Sequence, residues 1–255
     1  ADDLAQTPLM YAAAAGSLDT IEPLLAAGAP IDQKQSQGWT ALMLSAARGH
    51  AAVVERLLNG NSDIEAANLQ GQTALMIASA LCYTKIVAGL IARKAKVEAR
   101  DENGQSALMY AVSNGREEVV RLLLDNEAHV EAKTEHGLTV LMAAAQRGQG
   151  GLIQMLLRNK RTRLEASNAD GQTALMYAAA WGHAAAVDML VANGAQMNAQ
   201  EKDGWTALMI AAARGHEGVV KALLSRGANP HAINLQGQTA LKLADGIAVA
   251  EDADS

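Results

Sequence analysis

The chain has 255 residues, half of them hydrophobic, but only 3% are aromatic and none is phenylalanine. Its formal net charge of −6 argues against a general nucleic-acid-binding protein, because such proteins need a basic surface to displace counterions from phosphates. The single cysteine, Cys82, excludes an internal disulfide and a four-cysteine zinc site. No apolar run approaches the roughly 18 residues that a membrane-spanning helix needs.

The first residues are Ala1-Asp2-Asp3, without an initiator methionine. This start is typical of a mature end left by cleavage after a small residue, of a trimmed methionine, or of a shortened chain. We expect a soluble protein, and the start slightly favours an exported or periplasmic location over a cytoplasmic one.

A Thr-x-Leu-Met motif, or a close variant of it, recurs along the whole chain. Its first residue falls at Thr7, Thr40, Thr73, Ser106, Thr139, Thr173, Thr206 and Thr239, with spacings of 33 residues except for one of 34. An alanine-rich stretch follows each motif and usually ends at a glycine. An apolar-periodic stretch and a turn such as GAP or GAN come next. Each block therefore predicts a helix, a tight turn, a second helix and an extended loop.

The residue types in each block favour these elements for physical reasons. The threonine can cap the first helix by accepting a backbone N–H bond, and the glycine can end that helix at a positive φ. The second helix has the i, i+3, i+4 apolar spacing of a helix that is buried on one side. A single block cannot bury that side alone, so the blocks are expected to stack as a solenoid.

The stretches TPLMYA at 7–12, TALMLS at 40–45 and TALMYA at 173–178 are similar to the Thr-Pro-Leu-His-x-Ala signature of ankyrin repeats. The chain resembles that family over essentially its whole length. The resemblance implies an all-α solenoid of helix-turn-helix units with extended finger loops. We expect 1–255 to form a single domain of about eight repeats, of which the first and the last are caps. The repeats begin near residues 5, 38, 71, 104, 137, 171, 204 and 237.

Methionine replaces the signature histidine in seven of the repeats, from Met10 to Met209. We expect these side chains to fill the core between repeats with flexible apolar bulk. A cofactor pocket lined by the methionines is the less favoured alternative. The histidines that follow the glycines, His50, His183 and His216, are predicted to be structural.

The resemblance also implies protein binding through the finger tips and the inner helices of a concave face. Positions there that serve neither the core nor the caps are free to carry recognition. The candidate partner-binding residues are Trp39, Arg48, Leu69, Leu81, Tyr83, Glu102, His136, Leu138, Arg147, Trp181, Trp205 and Arg214.

Two of these assignments have a structural alternative. Trp39 and Trp205 could pack along a neighbouring finger. Their equivalent positions in repeats two and seven could be inherited from a duplication in which repeats one to three correspond to repeats six to eight.

In repeat three, Cys82-Tyr83 stands where other repeats have glycine and a polar residue. That turn must form without glycine, at some strain, and it places Leu81 and Tyr83 on the predicted binding side. A specific partner contact and sequence drift are the two alternatives for this departure.

The one 34-residue spacing falls in a basic loop with Arg158, Lys160, Arg161 and Arg163. A solvated loop that tolerates an insertion is the favoured interpretation. A site for an acidic partner or for phosphate is the alternative.

No catalytic or metal-binding pattern is found. Cys82 has no accompanying base, and the loop histidines lack the spacing of metal ligands. We therefore predict a monomeric protein-binding module without enzyme activity, cofactor or metal. One version is a stoichiometric inhibitor or protector of a partner enzyme, similar to bacterial ankyrin-like proteins that act on exported enzymes. The alternative is a scaffold or anchor in a larger assembly.

Overall fold

A computed structural model describes residues 5–244. These residues form two compact units, which divide between His129 and Val130. The helices of the first unit are α1 Pro8–Ala15, α2 Leu18–Ala26, α3 Ala41–Ala47, α4 Ala51–Asn59, α5 Ala74–Ala80, α6 Thr84–Ala92, α7 Ala107–Ser113 and α8 Glu117–Asp125. The helices of the second unit are α9 Val140–Gln146, α10 Gly150–Arg158, α11 Ala174–Ala180, α12 Ala184–Ala192, α13 Ala207–Ala213 and α14 Glu217–Ser225. A further helix, α15, begins at 240 and is described to 244.

Each repeat places its two helices in separate layers. In the first unit, the first helices α1, α3, α5 and α7 pack side by side, and the second helices α2, α4, α6 and α8 form a second row. The second unit repeats this arrangement with α9, α11 and α13 in one row and α10, α12 and α14 in the other. The predicted all-α, helix-turn-helix architecture is confirmed. The described residues contain no strand, only isolated bridges within three of the finger loops. That all eight repeats form one domain stays a prediction.

The start of most first helices is fixed by the predicted cap. The side chains of Thr40 and Ser106, for example, accept the backbone N–H three residues later at 3.3 and 3.4 Å. In repeats one and five the methionine completes a reciprocal cap, because the threonine backbone N–H donates to the sulfur of Met10 or Met142. Thr173 is an exception, since its side chain makes no cap bond.

The methionines that replace the signature histidine lie in the core. From Met10 to Met209, none of the seven is more than 2% exposed. They share the core with the alanines of the first helices and with the buried side of the second helices, such as Val53 and Leu57 of α4. The core interpretation of the methionines is confirmed.

The predicted structural role of the histidines is also confirmed. His50 Nε2 lies 3.0 Å from the carbonyl oxygen of Ala14, so its ring links repeat two to the end of the first helix of repeat one. His183 and His216 make the same contact with Gln146 and Ala180. In repeat four Arg116 takes over this role, because its Nε donates to the Ala80 carbonyl at 2.9 Å.

A second set of bonds between repeats comes from side chains that precede the fingers. Each one accepts a backbone N–H from the following repeat, 31 or 32 residues further along the chain. Glu65 accepts from Lys96 N at 2.7 Å, and Glu165 accepts from Gln196 N at 3.0 Å. The same acceptor position is occupied by Asp32, Glu98, Glu131 and Asn198. Several of the chain's acidic residues therefore connect successive repeats within each unit.

Candidate finger-side binding cleft

The finger loops are held in shape by one side chain at the base of each hairpin. Asp101 Oδ1 accepts the backbone N–H groups of Asn103 and Gln105 at 2.9 and 2.7 Å. In repeat seven Glu201 does the same for Asp203 and Trp205, at 3.0 and 2.9 Å. Two backbone N–H groups that donate to one acceptor fix the hairpin, so the backbone near its tip stands at a defined position beside the first helix.

Neighbouring fingers are also joined through their backbones. Leu69 N donates to the Gln37 carbonyl in the first unit at 3.1 Å. In the second unit Lys202 N donates to Asp170 O at 2.9 Å. Within each unit the fingers thus form a continuous edge next to the row of first helices. We call the exposed part of this edge and of the first helices the finger-side surface.

One position on this surface was missed at the sequence level. The fourth residue after the motif threonine is at least partly accessible in several repeats, and it is an aromatic or large aliphatic side chain. It is Tyr11, Leu44, Tyr110, Tyr177 and Ile210, whereas Ile77 at the same position in repeat three is buried. In the sequence this residue directly follows the buried methionine, and in repeats four and six its hydroxyl reaches finger side chains.

Tyr110 shows how this position connects the helix to the fingers. Its hydroxyl donates to Asp101 Oδ2 at 2.7 Å and accepts from Gln72 Nε2 at 2.7 Å. Burial, together with the neighbouring Asp101 carboxylate, raises the pKa of Tyr110 to about 12. Gln72 and Asp101 belong to successive fingers, so the phenol ties two fingers of the first unit to α7.

The second unit contains an open cleft on its finger-side surface, between repeats six and seven. Its volume is about 440 Å³, which is within the range of small ligand sites. The floor is built from Met176, Ala180, Ile210 and Ala213 of α11 and α13. The walls and rim are Gln172, Tyr177, Trp181, Glu201, Asp203, Trp205 and Arg214.

The rings in this cleft are accessible to different degrees. Trp181, just past the end of α11, is 53% exposed. Trp205 is half-buried, and Tyr177 is half-buried with its hydroxyl 3.1 Å from Asn168 Nδ2. An indole that remains in water leaves a large apolar surface unburied, and such surfaces often mark interaction sites.

The structure brings together three of the twelve predicted site residues, Trp181, Trp205 and Arg214, in this cleft. The other nine lie elsewhere. Arg48, Leu69, Leu81, Glu102, His136 and Arg147 are exposed, and Trp39, Tyr83 and Leu138 are half-buried. Their assignment as partner contacts stays a prediction.

Tyr83 occupies the place that histidine takes in repeats two, six and seven. A Cβ atom added to Gly49 would lie 2.6 Å from Tyr83 Cε1, so the ring lies directly over the glycine of the preceding repeat. The ring therefore contributes to packing between repeats. The adjacent Cys82 has a φ of 65°, which confirms that this turn forms in the left-handed region without glycine.

The basic loop after α10 accommodates its extra residue with local hydrogen bonds. Asn159 Oδ1 accepts the N–H of Arg161 at 3.0 Å, and Thr162 Oγ1 donates to Leu156 O at 2.6 Å. The side chains of Arg158, Lys160, Arg161 and Arg163 are exposed. The loop is solvated, as the favoured interpretation expects, and its function stays open.

A second groove lies at the last described repeat and is almost wholly apolar. It is lined by Val220 and Leu224 of α14, by Pro230, and by Ala240 and Leu241 of α15. Second helices of successive repeats pack together elsewhere in this unit, as α12 does with α14. The groove adjoins α14, which is the last second helix that the structure describes. The last repeat, which is expected to be a cap, ends in the sequence DGIAVAEDADS at 245–255, and this stretch lies outside the described residues.

Within residues 5–244, no group of three or more histidine, cysteine, aspartate or glutamate residues is placed to hold a metal ion. Cys82 is free and exposed. None of the helices in the described part of the chain is long and apolar enough to cross a bilayer.

Comparison with models of known protein families defines the class of protein to which this chain belongs. The family model for ankyrin repeats in three copies matches residues 9–101, 61–134, 83–168 and 129–201. The single ankyrin repeat model matches residues 203–235. The chain belongs to the ankyrin repeat family, whose members generally serve as protein–protein interaction modules.

Among solved structures, the chain is similar to the ankyrin repeat domain of human ASB11. The two share 25% sequence identity with a TM-score of 0.79, over 88% of this chain and all of the other. A comparison with curated proteins gives no match.

Proposed function

We propose that this protein binds another protein through its finger-side surface, with the cleft between repeats six and seven as the principal contact. The observation that carries the proposal is the exposed indole of Trp181 in a cleft shared with Trp205 and Arg214. Tryptophan and arginine dominate the binding energy of protein interfaces when they are desolvated at the centre of the contact.

The cleft suits a protruding segment of a partner better than a flat contact. Its floor is apolar, and its walls include three aromatic rings, of which Trp205 is carried by a finger whose backbone is held by Glu201. Preorganised aromatic surfaces lose little conformational entropy on binding. The finer form of the proposal is a stoichiometric inhibitor or protector, in which the partner is an enzyme, exported or periplasmic, and its activity is lost on binding. The bound form would be a monomer of this chain with one partner.

The test compares capture by three immobilised proteins: the wild type, Trp181→Ala, and Gln154→Ala. Gln154 is the control because it is exposed on the second helix α10, away from the fingers. A genuine partner is retained at a one-to-one ratio by the wild type and by Gln154→Ala. Trp181→Ala should weaken binding by about 1–3 kcal/mol without changing the melting temperature.

Three results bear on the proposal. Equal retention by all three proteins would refute it, because the partner would then bind elsewhere. Loss of the partner's enzymatic activity in the complex would support the inhibitor form. Unchanged activity with two partners bound together would support a scaffold instead. Trp39→Ala and Trp205→Ala complete the series. If all three tryptophan variants lower the melting temperature equally and leave the affinity for the partner unchanged, the tryptophans are packing residues.

A further inference from the structure

The charges around the cleft between repeats six and seven do not balance. Two carboxylates, Glu201 and Asp203, stand on the finger side, and one guanidinium, Arg214, stands on the helix side. Arg214 Nη1 donates to the Ala180 carbonyl at 2.9 Å, at the end of α11, where a cation is favourable. Among the described residues, no ion pair joins Arg214 to either carboxylate.

Of the two carboxylates, only Glu201 makes hydrogen bonds within the described part of the chain. Glu201 Oε1 is used by the finger, since it accepts two backbone N–H groups. The Asp203 side chain is exposed, and within residues 5–244 it has no hydrogen bond or ion pair. Its backbone is held on both sides, because its N–H bonds to Glu201 and its carbonyl accepts Leu235 N at 2.9 Å. Asp203 is therefore a negative charge on a held backbone at the rim, and its carboxylate has no partner in the described chain.

The same cleft is lined by three aromatic rings. The faces of Trp and Tyr rings attract cations, and Trp is the strongest of the natural side chains in this respect. The apolar floor of Met176, Ile210 and the alanines would suit the aliphatic part of a long side chain. Lysine and arginine combine an aliphatic stem with a terminal cation.

From this combination, and resting on the proposed function, we propose that the cleft takes a lysine or arginine side chain from an extended segment of the partner protein. The stem lies on the floor between Trp181 and Trp205, and the cation lies beside the Asp203 carboxylate. The volume of about 440 Å³ accommodates one long side chain together with the backbone that carries it. The partner's contacting segment is therefore basic, which also complements the net charge of −6 of this chain.

The test uses short synthetic peptides and the indole N–H signals of the ¹⁵N-labelled protein. The chain has three tryptophans, so three indole signals are expected, and Trp→Phe substitutions assign them. The probes are Ac-Ala-Lys-Ala-NH2 and Ac-Ala-Arg-Ala-NH2. The uncharged counterpart has norleucine at the centre, and the acidic one has glutamate. All titrations are run at one ionic strength, about 0.15 M, because exposed charges are screened by salt.

We expect the lysine and arginine peptides to shift the Trp181 and Trp205 signals saturably while the Trp39 signal stays in place. The norleucine peptide should bind at least about fivefold more weakly. Asp203→Asn should weaken the basic peptides by about three- to tenfold and leave norleucine binding unchanged. Asp170→Asn is the matched control, because Asp170 holds the same place in the preceding finger and does not line the cleft. It should have no effect.

Norleucine binding as tight as lysine would overturn the proposal, since the cleft would then be simply apolar. Tighter binding of the glutamate peptide would also overturn it, and would assign the cleft to an acidic group through Arg214. A titration with the lysine peptide that shifts neither the Trp181 nor the Trp205 indole signal would also overturn the proposal. None of these results decides the proposed function, which fails separately if Trp181→Ala leaves partner capture unchanged.

Discussion

Replacing Gly49 with alanine tests the packing between repeats two and three. A Cβ atom at this position would lie 2.6 Å from Cε1 and 2.9 Å from Cζ of the Tyr83 ring. The backbone φ is +78°, a region in which a side chain costs roughly 1 kcal/mol. Displacing a packed ring adds about 1–3 kcal/mol. Gly49→Ala should therefore lower the free energy of unfolding by about 2–4 kcal/mol.

Gly28 provides a control that separates the two costs. Its φ is +79°, nearly the same, but no heavy atom lies within 4 Å of an added Cβ. Gly28→Ala should thus lower the free energy of unfolding by the backbone cost alone, about 1 kcal/mol. The difference between the two variants measures the clash with the Tyr83 ring.

Urea unfolding followed by circular dichroism measures both variants, and they are compared only if the dependence on urea concentration is unchanged. Tyr83→Arg supplies a second background. Repeat four has Arg116 at this position, and the turn of the preceding repeat has Cys82 instead of glycine. The cost of Gly49→Ala should fall by about 1 kcal/mol in that background. Equal costs for Gly28→Ala and Gly49→Ala, or a cost that Tyr83→Arg does not change, would refute the reasoning.

Three further predictions concern single residues. Cys82→Gly should raise the free energy of unfolding by about 0.5 kcal/mol, because glycine removes the left-handed strain at φ 65°. The more flexible unfolded chain offsets part of that gain. A fall in the urea midpoint would contradict this prediction. Glu65→Ala should cost about 1 kcal/mol by removing the acceptor of Lys96 N, whereas Glu65→Gln, which keeps an acceptor oxygen, should cost less than half as much in the same assay. Burial raises the pKa of Tyr110 to about 12, so its phenol should ionise above the ordinary value of about 10 in an ultraviolet titration. The unfolded state then loses that proton first, so the contribution of Tyr110 to stability should decline as pH rises from about 10 to about 12, and Tyr110→Phe should remove that part of the pH dependence.

The sequence alone determined the repeat, its two helices and the burial of the methionines. These features depend on residues close together in the chain. The motif threonine caps the N–H three residues later, the glycine ends the helix a few residues further on, and the apolar spacing of the second helix selects its buried side. Each feature is repeated up to eight times, so a local signal that is weak in one repeat is reinforced by the others. The structural role of His50, His183 and His216 was predicted correctly on the same basis.

The tertiary structure decided which side chains of different repeats meet. Trp181 and Trp205 were both candidates on the sequence, but only the packing of α11 against α13 places them in one cleft with Asp203 and Arg214. Tyr83 is predicted to bind a partner, which stays a prediction, and only the structure shows that its ring also lies over Gly49 of the preceding repeat. The hydrogen bond that the Glu65 side chain accepts from Lys96 N in the next repeat left no local signal. These contacts depend on the distance and angle between stacked helices and on side-chain rotamers, which the pattern within a single repeat does not specify.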